Sequence, residues 1–238
     1  WFDFSDSATL TLSGSDIQTV ANKRANGPSL VAAGGSAITS QPSAQNGRAV
    51  ARVIKNANPP RFEASASDAL SQLAQGDDKA CTVITVYVPR DTSTGFIWAW
   101  SDTVDSNNSQ QFAFIRRTTN CSIRRQLLTS TTNDVSWGGH ASGVARVVAV
   151  RHTGTAVSVW DNSLTKAIDG VAQDVGAFND ELVFRIGATE AEGTDPRFAS
   201  TSANFDMCEI IIEGEAKSDA DIQQAITDLA AKWGIVLP

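Results

Sequence analysis

Apolar and polar positions alternate most clearly between Val144 and Asp161, where two valine-rich runs flank a short turn. Val148, Val150 and His152 share one face of the first run. Val157 and Val159 share a face of the second, with Ser158 and Trp160 opposite. Thr153-Gly154 supplies the reversal, so the pattern predicts an antiparallel hairpin. A hairpin cannot bury its apolar side alone, so a second sheet is required. Cys81 to Pro89 is apolar on both faces and rich in β-branched residues, which predicts a central strand. Phe96, Trp98 and Trp100 recur at spacing two, placing all three rings on one side of the next strand, and Phe112 and Phe114 repeat the pattern. Leu182 to Gly187 and Met207 to Glu213 read as closing strands, and Asp102 to Gln110 reads as an exposed loop.

Helical spacing is confined to two places. Leu70, Leu73 and Ala74 fall on one side of a short turn within 67–74. Ser218 resembles an N-cap with Asp221 three positions on, and Ile222, Ala225, Ile226, Leu229, Ala230 and Trp233 follow on one face. A helix over about 218–233 is predicted, stopped by Gly234, with Ile235-Val236-Leu237 returning to the body.

The 238 residues are long for one domain, but all-β sandwiches reach this size undivided, so a single domain over 1–238 is expected. Hydrophobic residues make up 42% and charged residues 19%, the balance of a packed chain rather than a disordered one. The net charge of -7 is dispersed, which argues against a nucleic-acid partner or a basic membrane surface. No apolar run approaches the ~20 residues of a membrane span, and no signal peptide opens the chain. A chain opening on Trp1 is expected to be part of something longer. Cys81, Cys121 and Cys208 have no CxxC spacing and sit in or beside strands, where inert packing is the ordinary role, one disulfide pair being the alternative.

Trp1, Asp3, Ser5-Asp6, Thr9-Leu10-Thr11-Leu12 and Gly14, then Asn22-Lys23 with Asn26-Gly27, resemble the entry of the concanavalin A-like lectin/glucanase superfamily. More narrowly they resemble its LamG-like modules, common in phage virion proteins and secreted bacterial proteins. The strand ending Ile186-Gly187, the strand carrying Glu209-Ile210-Ile211 and the ending Leu229-Ala230-Ala231-Lys232-Trp233-Gly234-Ile235 match in order. Asn58-Pro59-Pro60-Arg61-Phe62 departs from the family's usual turn. The resemblance implies an all-β, two-sheet antiparallel jelly-roll sandwich with a C-terminal helix. It also implies a recognition or attachment module of a virion, or of a secreted extracellular protein. Its partner would be a host cell-surface glycan or, alternatively, neighbouring virion proteins in a head-decoration or tail component. A homo-oligomer is compatible with either.

Superfamily hydrolases carry alternating carboxylates on one strand, and the nearest stretch here is Glu209 to Glu213. Four residues at ~3.3 Å each separate those Cα atoms by roughly 13 Å, beyond the ~5 to 9.5 Å of glycosidase pairs. Ile210 and Ile212 on the opposite face explain the strand as core-facing, with both glutamates solvated. Lyase chemistry would draw on His140, His152 or Tyr87. The chain is therefore expected to be non-catalytic, with a polysaccharide depolymerase as the third alternative.

Sugar recognition uses aromatic faces and planar polar side chains. Trp137, in Ser136-Trp137-Gly138-Gly139-His140, reads as a glycan platform or a loop anchor. His140, Trp160, Asp161 and Asn162 join it as candidates, as do Arg116 and Arg124 from the basic hairpin of 112–128, where a solvated sheet face is the plainer reading. No cofactor is called for. Calcium at Asp102 and Asp105, or at Asp161 and Asn162, is an open alternative without a dense oxygen-ligand pattern to support it.

Overall fold

The computed structural model describes residues 1–55, 59–76, 79–102, 110–127, 131–173, 176–178, 182–188 and 203–238. Among them the strands, in chain order, are β1 (Phe2–Asp3), β2 (Leu10–Ser13), β3 (Asp16–Val20), β4 (Leu30–Ala33), β5 (Thr39–Gln45), β6 (Arg48–Val53), β7 (Arg61–Glu63), β8 (Ala80–Pro89) and β9 (Gly95–Asp102). They continue as β10 (Gln111–Arg116), β11 (Asn120–Leu127), β12 (Thr131–Gly138), β13 (Arg146–Thr153), β14 (Ala156–Asp161), β15 (Lys166–Ala172), β16 (Leu182–Ile186) and β17 (Phe205–Glu213). Helix α1 (Ala69–Gln72) follows β7, and α2 (Asp219–Trp233) follows β17.

Antiparallel pairing sorts these strands into two layers. In the first, β17 is the hub. β8 lies along one side of it and β1 and β6 share the other, with β5 beyond β6. Past β8 come β13, β14 and β15. The second layer runs β2, β3, β4, β7, β16, β9, β10, β11, β12. A bridge between Asp16 and Thr39 joins the layers at one edge. This is the expected β-sandwich, and the predicted hairpin is β13–β14, with Val150 opposite Val159.

The inward residues of both layers form one core. Val83, Tyr87, Val148, Val150, Val157, Val159, Ile210 and Ile212 meet Phe62, Trp98, Trp100, Phe112, Phe114 and Phe184. The aromatic side is a chain of edge and stacked contacts, with Trp98 5.5 Å and Trp100 5.8 Å from Phe112. Both buried indoles are satisfied: Trp98 Nε1 donates to Thr85 Oγ1 at 3.0 Å and Trp100 Nε1 to the Leu70 carbonyl at 2.8 Å. Phe96 departs from the alternation. Phe114 pairs with Trp98 but Ile115 pairs with Phe96, so Ile97 is an extra residue in a bulge. Phe96 therefore turns to the opposite face, beside Ala99, Ala113 and Ile115.

The other face of the first layer is covered by α2. Ile222, Ile226, Leu229, Ala230 and Trp233 bury against Ile84, Val86, Val88, Val147, Ala149 and Trp160. Each large side chain so buried contributes about 1.5–3 kcal/mol. Ser218 Oγ caps the helix by accepting from the Asp221 amide at 3.2 Å. Gly234 ends it at φ 65°, and a β-carbon there would come within 2.9 Å of Asn46 Cγ.

Glu209 is not solvated. A bulge at Cys208 turns it beneath the helix, leaving it 1% exposed. Its Oε2 accepts from Lys232 Nζ at 2.6 Å and Trp233 Nε1 at 2.8 Å, and its Oε1 accepts from Trp1 Nε1 at 2.6 Å. Asp3 shares Lys232 at 2.7 Å. Asp102 and Gln110, the ends of the expected exposed loop, are buried; 103–109 lie outside the described residues.

Glu209→Ala should lower the unfolding free energy by about 2–4 kcal/mol in urea titration, because the buried Trp233 N–H loses its acceptor, the Trp1 N–H loses its own, and Lys232 is left with Asp3 alone. Burial pushes the Asp3 carboxyl up, but Lys232 and the Ser5 hydroxyl and amide together hold it below its ordinary value. A depressed folded value means that its contribution is full above about pH 4 and is lost as pH falls through that value. Denaturant midpoints of Asp3→Asn and the wild type should accordingly converge on acidification.

Candidate functional site

The structure brings four of the seven sequence candidates together, between the layers. Asp161 ends β14 facing inward, and its Oδ2 accepts from Trp137 Nε1 at 3.1 Å and from His140 Nε2 at 2.8 Å. With Nε2 donating, His140 Nδ1 is the acceptor for the Tyr87 hydroxyl. Arg116 holds the same loop from the second layer, donating to the His140 carbonyl at 3.1 Å and the Ser93 carbonyl at 2.9 Å. Tyr87 and the imidazole of His140 are fully buried, and burial raises the Tyr87 phenol well above its ordinary value. The order tyrosine, histidine, aspartate is that of a proton relay, but its hydroxyl end is closed to any reactant. Its effect is to clamp β8 and β14 of one layer to the loop after β12 of the other.

Trp137 belongs to the same clamp. Its ring stacks on Phe114, 5.6 Å between centroids at 24°, and it is half-buried. That is an anchor's position. Asn162 stands at φ 47°, with its Oδ1 accepting from the Val147 amide at 2.7 Å, so it shapes the turn after β14. Arg124 faces outward on β11 and pairs with Asp134 at 2.8 and 2.9 Å beside Arg117. Arg125 turns inward, donating to the Gly154 carbonyl at 2.7 Å. Half of the basic hairpin is thus interior, because alternation sends Arg125 and Arg124 to opposite faces. Burial pushes the thiols of Cys81 and Cys121 up to about 12, and all three cysteines are buried and unpaired.

Trp160 faces away from Asp161, on the side covered by α2. It is fully buried, and its Nε1 has no hydrogen-bond partner. Arg151 lies 5.1 Å and Lys166 5.4 Å from its ring centroid. It forms the floor of a recess of about 400 Å³ whose walls are Leu164, Thr165, Lys166, Asp169, Asp219 and Gln223. Lys166 Nζ reaches Asp169 and Asp219 at 2.8 Å each, and Arg151 reaches Asp219 at 2.6 Å. Pairing with Asp169 and then Asp219 raises the Lys166 ammonium, and Lys166 chiefly lowers Asp219. Gln223 Nε2 donates to the Leu164 carbonyl at 2.8 Å, tying the helix to the turn. A second cleft of about 380 Å³ lies beside Trp1, with Ile84, Ile211 and Ala225 on its floor and Arg24, Glu213 and Asp221 at its rim.

Lys166, Asp169, Asp219 and Gln223 escape sequence reasoning because they come from β15 and α2, about 50 residues apart in the chain. The signal present was Trp160 followed by the turn residues Asn162-Ser163. Among the described residues no group of three or more His, Cys, Asp or Glu side chains gathers to hold a metal ion, and Asp105 lies outside them.

No protein-family profile matches the chain, and no curated protein matches it in sequence. Solved structures do match in fold. Domain 4 of AbnA, an extracellular GH43 arabinanase of Geobacillus stearothermophilus solved with arabinotriose, aligns at 14% identity and TM-score 0.57, over 96% of this chain and 93% of that one. The CBM40 of the Ruminococcus gnavus IT-sialidase, bound to α2,3-sialyllactose, aligns at 12% and 0.56, over 73% and 96%. The binding domain of Paraclostridial Mosquitocidal Protein 1 aligns at 10% and 0.63, over 92% of this chain. The chain spans about half of that last structure (51%) and 23% of a leech intramolecular trans-sialidase. At these identities the likeness establishes the fold, a β-sandwich shared with carbohydrate-binding domains.

Tyr87→Phe should lower stability by about 1–3 kcal/mol, since it removes the hydroxyl that donates to the buried His140 Nδ1. Trp137→Ala should lower it by about 1–3 kcal/mol through the lost stack on Phe114 and the lost bond to Asp161. Thermal unfolding of both variants checks the clamp.

Proposed function

We propose that this chain is a non-catalytic carbohydrate-binding module whose sugar site is the recess over Trp160. The observation that carries the reading is the polar recess itself, where Lys166 and Asp169 of the sheet meet Asp219 and Gln223 of the helix above the buried Trp160. Around it Thr165, Lys166, Asp169, Asp219 and Gln223 offer both donors and acceptors, and Leu164, 42% exposed, offers an apolar edge to a pyranose. The fold supports the reading, because similar sandwiches were solved holding sialyllactose and arabinotriose. Attachment of a phage virion or a secreted bacterial protein to a cell-surface glycan is the setting that follows from the LamG-like resemblance.

The second reading is an assembly module that binds a neighbouring protein, favoured by the apolar floor of the cleft beside Trp1. The two readings diverge in one experiment. The isolated chain should bind a polysaccharide or glycan array, and Asp169→Ala, at a 70% exposed side chain, should weaken that binding at least tenfold with the melting temperature unchanged. Binding to no glycan, with retained binding to a co-assembled protein, would favour the second. New reducing ends or unsaturated sugars from any bound polysaccharide would overturn the non-catalytic part.

A further inference from the structure

On the reading that the recess over Trp160 is the sugar site, we infer that it selects neutral sugars and rejects acidic ones, with Asp169 and Asp219 as the specificity-determining residues. Both cations bordering the recess are already engaged by carboxylates of this chain. Lys166 is held by Asp169 and Asp219, and Arg151 by Asp219. A uronic or sialic carboxylate entering the recess would compete with these carboxylates for the same two cations.

The helix N-terminus beside it offers an anion no better seat. The dipole of α2 favours negative charge at its first turn, but Asp219 and Asp221 already stand there and Ser218 Oγ accepts from the Asp221 amide. A neutral pyranose meets no such opposition. Its hydroxyls can accept from Lys166 and donate to Asp169 or Asp219 while the ion pairs stay in place. Asp169 and Asp219, 70% and 47% exposed in their side chains, are open to such contacts.

The test is titration calorimetry at low ionic strength, about 0.01 M, where the Debye length is about 30 Å and charge discrimination is least screened. Matched neutral and acidic oligosaccharides serve as probes: galacto- against galacturono-, gluco- against glucurono-, and lactose against sialyllactose. In every pair that binds, the neutral member is expected to bind at least tenfold more tightly. Asp169→Asn, which keeps an acceptor and the exposed position but removes the charge, should narrow that ratio, and Asp169→Asn with Asp219→Asn should narrow it further. Equal or tighter binding of the acidic member, or a ratio unchanged in both variants, overturns the inference and leaves the carbohydrate reading standing. Binding of neither member of any pair, on this panel and on the broader array, overturns the carbohydrate reading itself.

Discussion

The structure depends on burying both faces of one strand pair. β8 and β17 lie side by side at the centre of the first layer, with Val83, Tyr87, Ile210 and Ile212 turned to the other layer and Ile84, Val86 and Val88 turned away from it. The inner face is covered by the second layer, whose rings fill the space. The outer face is apolar for the same reason, and α2 covers it. Glu209 couples the two solutions, since a bulge at Cys208 aims its carboxylate at the last turn of the helix and at Trp1. A charge this deeply buried is tolerated because an ammonium and two indole N–H groups surround it.

The recess over Trp160 follows from that docking. Trp160 lies on the outer face of β14, beneath the start of α2, while Asn162 in the left-handed region turns the chain into β15. The helix then brings Asp219 and Gln223 opposite Lys166 and Asp169. Sheet supplies the floor and one wall, helix the other. The polar clamp formed by Tyr87, His140, Asp161 and Trp137 is its counterpart between the layers. It uses groups of the kind that catalysis uses, but it encloses them, and their bonds tie β8 and β14 to the loop after β12.

Much of this was legible along the chain. Period-two valines located β13 and β14, and the doubly apolar Cys81 to Pro89 run located the central strand. Ser218, Asp221 and Gly234 marked both ends of α2, and its helical spacing identified the residues that bury. Such features are local, since each depends on neighbours within a few positions. Alternation failed where a bulge inserted one residue, as at Ile97, which sends Phe96 to the face opposite Trp98. A bulge leaves no unambiguous mark in composition.

What the sequence by itself determined is the set of strands, the terminal helix and the side of each that is apolar, because backbone periodicity converts spacing directly into facing. What only the tertiary structure decided is the company each polar group keeps. Glu209 went beneath a helix, His140 and Arg116 into a clamp, Arg124 to an outer face beside Asp134, and Lys166 between two carboxylates from different elements. Those placements depend on contacts between residues far apart in the chain, and long-range pairing is set by how whole layers pack rather than by any local pattern.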